Sequence, residues 1–178
     1  MKKDINVWEY AGHICEQTGK GILVTTKVGD KVNSMTIGWG TLGIEWGKPI
    51  YTVFVRESRY TKEMLEKHGE FTINVPMGAI DKDILKICGT KSGRDMDKIA
   101  ELGLHLEDGK TVDVPGIREL PLTLECKVIY KQRQDRNAMP PDVVDRNYPA
   151  HVGSDDPGAN RDVHTAYYGE IVKAYIIE

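Results

Sequence analysis

Short stretches in which apolar residues dominate, or alternate with polar ones, recur along the chain and are separated by glycine and proline. They predict strands over residues 22–28, 32–41, 50–55, 71–75, 122–130 and 166–177. Amphipathic segments predict short helices over residues 6–17, 58–67, 81–88 and 95–102. Because the strands dominate and the helices are insertions, we expect a mainly β protein with an antiparallel barrel rather than alternating β and α units.

Residues 134–162 lack such patterns and hold four of the eight prolines. A loop of this length inside a compact domain is usually functional or disordered. The chain has 178 residues, a length that suits one domain. We therefore interpret residues 1–178 as a single domain with a long loop at 134–162.

Residues 38–43, Gly-Trp-Gly-Thr-Leu-Gly, match the dinucleotide-binding pattern G-x-G-x-x-G. That motif requires a helix that opens at the glycine turn, so that the pyrophosphate meets the helix N-terminus. Here turn residues 45–49 and another predicted strand follow instead. The context excludes a Rossmann interpretation.

The glycines in this segment still need an explanation, because glycine inside a strand costs stability. Strand alternation places one small, flat set of residues on one face: Ser34, Thr36, Gly38 and Gly40. The bulkier residues share the other face: Met35, Ile37, Trp39 and Thr41. Either a planar ring lies on the flat face and bonds to the backbone, or the glycines let two sheets pack closely. The strand alone leaves both open.

Two arginines, Arg56 and Arg59, bracket the start of the helix predicted over 58–67. A helix N-terminus carries partial positive charge and free N–H groups, so cations are unfavourable there unless an anion is bound. The hydroxyls of Ser58 and Thr61 could also donate to a phosphate. In the alternative interpretation, Ser58 only caps the helix and the arginines are solvated.

A second candidate lies at residues 91–95. Ser92 and Asp95 have the spacing of a capping box. Alternatively, Lys91, Ser92 and Arg94 contact a ligand. Among the five histidines, His164 lies just before the last predicted strand and is the one we expect to face a pocket.

Composition narrows the function classes. Hydrophobic residues make up 40% and charged residues 29%, with a net charge of −3, which argues against a nucleic-acid partner. No stretch approaches the roughly 20 apolar residues of a membrane span, and residues 1–10 lack the apolar run of a signal peptide. The three cysteines, Cys15, Cys88 and Cys126, are far apart, so we expect reduced, buried thiols in a cytoplasmic protein. No metal site or catalytic constellation is predicted.

Four segments together resemble the flavin reductase-like FMN-binding split-barrel family, particularly its flavoredoxin-like branch. They are residues 33–41, 51–61, 88–98 and 164–172, and the resemblance covers about residues 20–132 and 164–176. It implies a split β-barrel with Greek-key topology, FMN near a homodimer interface, and redox chemistry at the flavin. Residues 134–162 have no clear counterpart.

The resemblance also implies a cofactor site. Met35, Thr36, Ile37, Gly38 and Trp39 would border the isoalloxazine ring. The phosphate would be held by four residues: Arg56, Ser58, Arg59 and Thr61. The remaining candidates are Lys91, Ser92 and Arg94 near the cofactor and His164 near the ring. Because flavin supplies the chemistry, no side chain need act as acid or base.

The function expected from this resemblance is NAD(P)H-dependent reduction of flavin, or of another acceptor, through FMN. One alternative is an electron carrier that passes electrons between partner proteins without oxidising nicotinamide itself. A third possibility, from another class, is a non-catalytic flavin-binding module.

Overall fold

The computed structural model describes residues 1–151 and 161–178. Its strands are Lys2–Asp4 (β1), Ile22–Val28 (β2), Lys31–Ile37 (β3), Gly40–Glu45 (β4), Lys48–Arg56 (β5), Glu70–Val75 (β6), Leu106–Glu107 (β7), Gly116–Ile117 (β8), Leu122–Arg133 (β9) and His164–Ile177 (β10). Its α-helices are Ala11–Lys20 (α1), Tyr60–Lys67 (α2), Lys82–Thr90 (α3), Lys98–Glu101 (α4) and Pro141–Asn147 (α5). Short 3-10 helices cover Val7–Tyr10 and Arg136–Ala138. No helix in the described ranges is long and apolar enough to cross a membrane.

One antiparallel sheet organises the fold. Its strand order is β3-β2-β6-β9-β10-β5-β4, with β1 paired to the end of β10 and a separate β7–β8 ribbon. The outermost strands, β3 and β4, do not pair with each other, so the sheet is not closed. The predicted mainly β, antiparallel fold with inserted helices is therefore confirmed.

The core lies between the curved sheet and α1. Inward-facing side chains of the central strands, such as Val24, Val53, Ile73 and Leu124, are fully buried. A second cluster fills the space beneath α3 and α4: Leu23, Ile84, Cys88, Leu104, Ile117 and Leu120. Strand β2 is covered on both faces, which explains why its first residues are continuously apolar.

The strand predicted over 32–41 is two strands. β3 ends at Ile37, and β4 begins at Gly40 on the opposite end of the sheet. Only Gly38 and Trp39 join them, so the two open ends of the sheet must lie close together. The alternating pattern continues through this connection, so the sequence predicts a single strand over residues 32–41.

Two further expectations change. Residues 134–162 are not one long loop, because β9 extends to Arg133, and a 3-10 turn and α5 follow it. The proline at the first position of α5 is compatible with a helix start, since its missing N–H has no intrahelical partner there. The part of this segment at 152–160 lies outside the described residues. Cys88 and Cys126 are buried as expected, but Cys15 is exposed.

A close contact at Gly40 provides a test of how the sheet end is packed. A Cβ at Gly40 would collide with the hydroxyl of Tyr51 and lie 2.8 Å from its Cζ. Tyr51 is 1% exposed, and its hydroxyl is 2.9 Å from Thr18 Oγ1, so its ring has little freedom to move. We expect Gly40→Ala to destabilise the protein by about 1–3 kcal/mol, measured by denaturant unfolding.

Gly43→Ala is the matched control, because Gly43 lies on the same strand and an added Cβ there meets nothing within 4 Å. It should be neutral or slightly stabilising. Equal stabilities of the two variants would contradict the proposed packing.

Candidate functional site

Two adjoining clefts lie beside the connection between β3 and β4. The first, the split cleft, has a volume of about 260 Å³ and is lined by Met35, Thr36, Ile37, Gly38, Trp39, Phe54, Arg56, Arg59, Gly89 and His164. The second, the basic cleft, has a volume of about 100 Å³ and is lined by Asn33, Met35, Ser58, Arg59, Tyr60, Thr61, Cys88, Gly89, Thr90, Lys91, Ser92, Gly93, Arg94 and Lys98. They share Met35, Arg59 and Gly89. All thirteen residues predicted from the sequence line one cleft or the other.

The structure distributes the residues predicted to hold the phosphate over both clefts. Ser58, Thr61, Lys91, Ser92 and Arg94 line the basic cleft. Arg59 lines both clefts, whereas Arg56 lines only the split cleft. The expectation that Arg56 acts together with Ser58 and Thr61 is therefore not supported by their placement.

Contacts to distant backbone explain the position of Arg56. Its guanidinium donates to the carbonyl oxygens of Asp162, at 2.7 Å, and Asn147, at 3.2 Å. It also lies 5.7 Å from the ring centre of Trp39 and 5.2 Å from that of Tyr148. These contacts hold the guanidinium between two aromatic rings at the wall of the split cleft.

The glycines at 38 and 40 have different roles. An added Cβ at Gly38 would meet only Thr18 O, at 4.0 Å, so packing within the chain does not require glycine there. Gly40 is needed for the close approach of Tyr51. Ser34 is fully buried, and its hydroxyl is hydrogen-bonded to that of Thr25. The flat face predicted from strand alternation therefore lies only partly in the cleft. Residues 35–39, which are the last three residues of β3 and the connection to β4, all line the split cleft.

His164 stands at the split cleft with its tautomer set by two neighbours. Tyr148 donates its hydroxyl hydrogen to Gln134 Oε1, at 2.9 Å, and lies 3.1 Å from His164 Nδ1. The phenol has one hydrogen, so Nδ1–H donates to the phenolic oxygen and Nε2 is the acceptor of the ring. The imidazole also contacts the ring of Trp39, with centroids 5.0 Å apart.

The electrostatic environment keeps this histidine neutral. Burial is the main cause that lowers the pKa of His164, and the charge of Arg56 adds to it, giving a pKa of about 4. At neutral pH the split cleft therefore presents an uncharged imidazole beside the guanidinium groups of Arg56 and Arg59.

Helix α2 brings its N-terminus to the basic cleft. The helix begins at Tyr60, its N-cap position is Arg59, and no side chain caps it. The alternative in which Ser58 caps this helix is therefore wrong. The Ser58 N–H instead donates to Asp162 Oδ2, at 2.8 Å.

The Lys91–Asp95 segment forms the opposite wall of the basic cleft. Ser92 Oγ accepts from the Arg94 N–H within a turn, and α4 begins later, capped by Asp97. The capping-box interpretation of Ser92 and Asp95 is thus wrong. Arg94 pairs with Glu63 and donates to Ser58 O, at 3.2 Å, which fixes this turn against α2.

Sequence reasoning missed Lys98, the most buried cation of this site. It is 4% exposed, and its ammonium lies 3.4 Å from Cys88 O and 3.3 Å from Lys91 O. Within residues 1–151 and 161–178, no carboxylate lies within ion-pair distance of it. Burial lowers the pKa of Lys98, and the guanidinium of Arg59 acts in the same direction. Buried cations are rare without a compensating anion, so this site suits an anionic group.

Sequence comparison identifies relatives that cover part of the chain. An uncharacterized protein from Archaeoglobus fulgidus is 36% identical over 100 residues, which are 56% of this chain and 55% of the relative. An uncharacterized protein from Pyrococcus abyssi is 32% identical over 106 residues, 60% of this chain and 59% of the relative. These alignments thus span little more than half the length of each relative.

Structural comparison extends over most of the chain. The flavoredoxin of Desulfovibrio vulgaris (Miyazaki F) superposes with a TM-score of 0.65 at 26% identity, covering 89% of this chain and 69% of that one. Flavoredoxin from Methanosarcina acetivorans gives a TM-score of 0.64 at 26% identity, covering 89% and 68%. An FMN-binding domain of a flavin reductase-like enzyme from Shewanella baltica shares the fold, with a TM-score of 0.64 at 18% identity over 99% of this chain and 77% of that one.

The sequence profile of the "Flavin reductase like domain" family matches residues 18–178. This match includes both clefts and all thirteen predicted residues. The family expected from the sequence is therefore confirmed, and the chain belongs to the flavin reductase-like domain family.

Proposed function

We propose that this protein binds FMN and uses it to pass electrons from NAD(P)H to flavin or another acceptor. Family membership and the likeness to two flavoredoxins support this proposal. The pair of adjoining clefts also fits FMN, a ligand with a flat ring at one end and a phosphate at the other. The split cleft is bordered by backbone and aromatic groups together with two arginines, and the basic cleft by four cationic residues: Arg59, Lys91, Arg94 and Lys98.

The buried ammonium of Lys98 is the observation that carries the proposal. A charge held away from water without a carboxylate partner is costly, and a phosphate in the basic cleft would compensate it. Arg59 would add a second cation. The hydroxyls of Thr61 and Ser92 and the uncapped N-terminus of α2 provide further donors.

The split cleft would hold the ring system. Its wall from Met35 to Trp39 offers backbone groups, and Gly38 leaves room for a ligand to approach them. The neutral His164 would accept a hydrogen bond through Nε2 without adding charge. Bound FMN supplies the hydride and electron transfer, while the chain binds and orients it.

A flavoredoxin-like electron carrier is the second candidate. The two flavoredoxins share 26% identity with this chain over 89% of its length, which favours this alternative more than a non-catalytic binding module. In that case partner proteins, rather than a nicotinamide, would reduce the bound flavin.

Replacing the buried cation tests the phosphate assignment. We expect Lys98→Met to weaken FMN binding by about 1.5–3 kcal/mol, the range for a hydrogen bond to a charged group, or about ten- to a hundredfold in Kd. Riboflavin lacks the phosphate, so its affinity should change much less. Fluorescence titration of both ligands measures the difference.

Lys86→Met is the control, because Lys86 is an exposed lysine of α3 outside both clefts. It should leave both affinities unchanged. Unfolding of the ligand-free proteins gives a second readout, since removing an uncompensated buried charge should not destabilise Lys98→Met. Equal losses for FMN and riboflavin would place the phosphate elsewhere.

Anaerobic reduction separates the two candidate functions. If the protein is a reductase, NADH or NADPH should bleach the visible absorption of the FMN-loaded protein with about one equivalent per flavin. A carrier should be bleached by dithionite but not by either nicotinamide. A protein that does not bind FMN at all would contradict both candidates.

We also propose a homodimer. The sheet is open, its edge strand β4 pairs only with β5 among the residues that the structure describes, and Ile44 on that strand is 71% exposed. An exposed edge strand is a template for pairing with another chain, most simply a two-fold copy. Light scattering should give a mass near twice the 20.0 kDa of one chain. A single-chain mass at micromolar concentration would refute the dimer.

A further inference from the structure

The basic cleft has one end that meets the split cleft and one that points away from it. Strand β3 runs along the basic cleft, and Met35 on this strand lines both clefts. Asn33 lies two residues earlier on β3 and lines only the basic cleft. At about 3.3 Å per residue, the Asn33 end is roughly 7 Å farther from the split cleft. A ligand with its ring in the split cleft therefore points its tail toward Asn33.

The main chain between α3 and α4 is packed against this far end. A Cβ added at Gly93 would collide with the side-chain amide of Asn33 and lie 2.9 Å from Cδ1 of Tyr60. Asn33 is 3% exposed, and its amide donates to Thr61 Oγ1, at 3.1 Å, so it has little freedom to move aside. The main chain at Gly93 thus contacts both β3 and α2 and closes the cleft at the Asn33 end.

The side chain of Arg94 adds a second layer across the same end. Its guanidinium donates from Nε to Glu63 Oε1 on α2, at 3.1 Å, and from Nη1 to the carbonyl oxygen of Ser58, at 3.2 Å. It also lies 5.5 Å from the ring centre of Tyr60, within the range of a cation–π contact. We call the contacts of Arg94 with Glu63 and Ser58 the Arg94 latch, because they join the two walls of the basic cleft.

The size and charge of the basic cleft suit a terminal phosphate better than a phosphate that continues into a second nucleotide. Its volume of about 100 Å³ is well below the roughly 300–1,000 Å³ of pockets that enclose larger ligands. A phosphate monoester carries about −1.5 to −2 charges at neutral pH, whereas a phosphate within a dinucleotide has only one ionisable oxygen. The buried Lys98 and Arg59 supply two positive charges, which match the monoester.

We propose that the Arg94 latch makes the site selective for FMN and disfavours flavin adenine dinucleotide (FAD). The two flavins share the ring, the ribityl chain and the first phosphate, and FAD continues from that phosphate into an adenylate group. With the shared phosphate at Lys98, the adenylate would have to leave the cleft where Gly93 and Arg94 close it. This inference rests on the proposed function, because it requires the phosphate of a flavin in the basic cleft.

Two variants release the latch without removing a positive charge from the cleft. Glu63→Ala deletes the acceptor on α2, and Glu63 itself lines neither cleft. Arg94→Lys keeps the cation but loses the planar fork that reaches Glu63 and Ser58 together. Both side chains of the ion pair are more than 40% exposed, so both variants should fold. Glu16→Ala is the matched control, because Glu16 is an exposed helical glutamate paired with Lys20 away from both clefts.

Calorimetric titration of the full chain with FMN and with FAD measures the selectivity. Wild type and Glu16→Ala should both bind FMN more tightly than FAD, by roughly tenfold or more in Kd. Glu63→Ala and Arg94→Lys should each bind FAD about fivefold more tightly than wild type does, the size of effect that opening one exposed ion pair allows. Their affinity for FMN should stay close to that of wild type, because every cation of the cleft is retained.

The same titrations keep this inference separate from the proposed function. Equal affinities of wild type for FMN and FAD, or unchanged binding of FAD to both latch variants, would refute the selectivity and leave FMN binding intact. An equal gain for FMN and FAD would also refute it, because the latch would then limit access for both flavins alike. A wild type that binds neither flavin would refute the proposed function itself, and the inference with it.

Discussion

The architecture of the site depends on the two-residue connection between β3 and β4. These strands are the opposite ends of the sheet, yet only Gly38 and Trp39 join them. Three peptide units span at most about 11 Å, so the sheet must curve until its ends almost meet. The two end strands approach each other without pairing. Backbone N–H and C=O groups that would be hydrogen-bonded between strands in a closed barrel therefore stay available at the gap. Both clefts lie around this gap.

The wall opposite the gap is held by contacts between distant parts of the chain. Arg56, at the end of β5, bonds to carbonyl oxygens of residues 147 and 162, and Tyr148 bridges Gln134 to His164. The segment between β9 and β10 is thus tied to the rest of the fold by the Arg56 guanidinium, by the Tyr148 phenol and by the Ser58 N–H, which donates to Asp162 Oδ2. Because Arg56 and His164 border the split cleft, the shape of the cleft and the placement of this segment are coupled.

Local sequence patterns predict much of this molecule. Apolar runs identify β2, β5, β6, β9 and β10 because these strands are buried, and the thirteen candidate residues all reach the two clefts. The placement of Arg56 at the split cleft alone was not predictable, since it depends on carbonyl groups 91 and 106 positions away. Lys98 gave no signal, because a lysine at a helix start reads as solvated until the fold buries it. Helix α5 was missed for a related reason: its proline-rich surroundings resemble a loop, and its start depends on proline at the first helical position.

The distribution of charge around the gap determines which part of a ligand each side of the site can bind. Four cationic residues line the basic cleft on the side of α2 and α4, whereas aromatic and backbone groups together with Arg56 and Arg59 border the split cleft. Transfer of an ionised group out of water is far more costly than transfer of a neutral ring unless opposite charges compensate it. A ligand with an anionic tail therefore has one favourable direction along the gap, with the tail at Lys98 and the ring toward Trp39. The neutral imidazole of His164 preserves this polarity, because a protonated ring there would place a second positive charge beside Arg56 and draw anions away from the basic cleft.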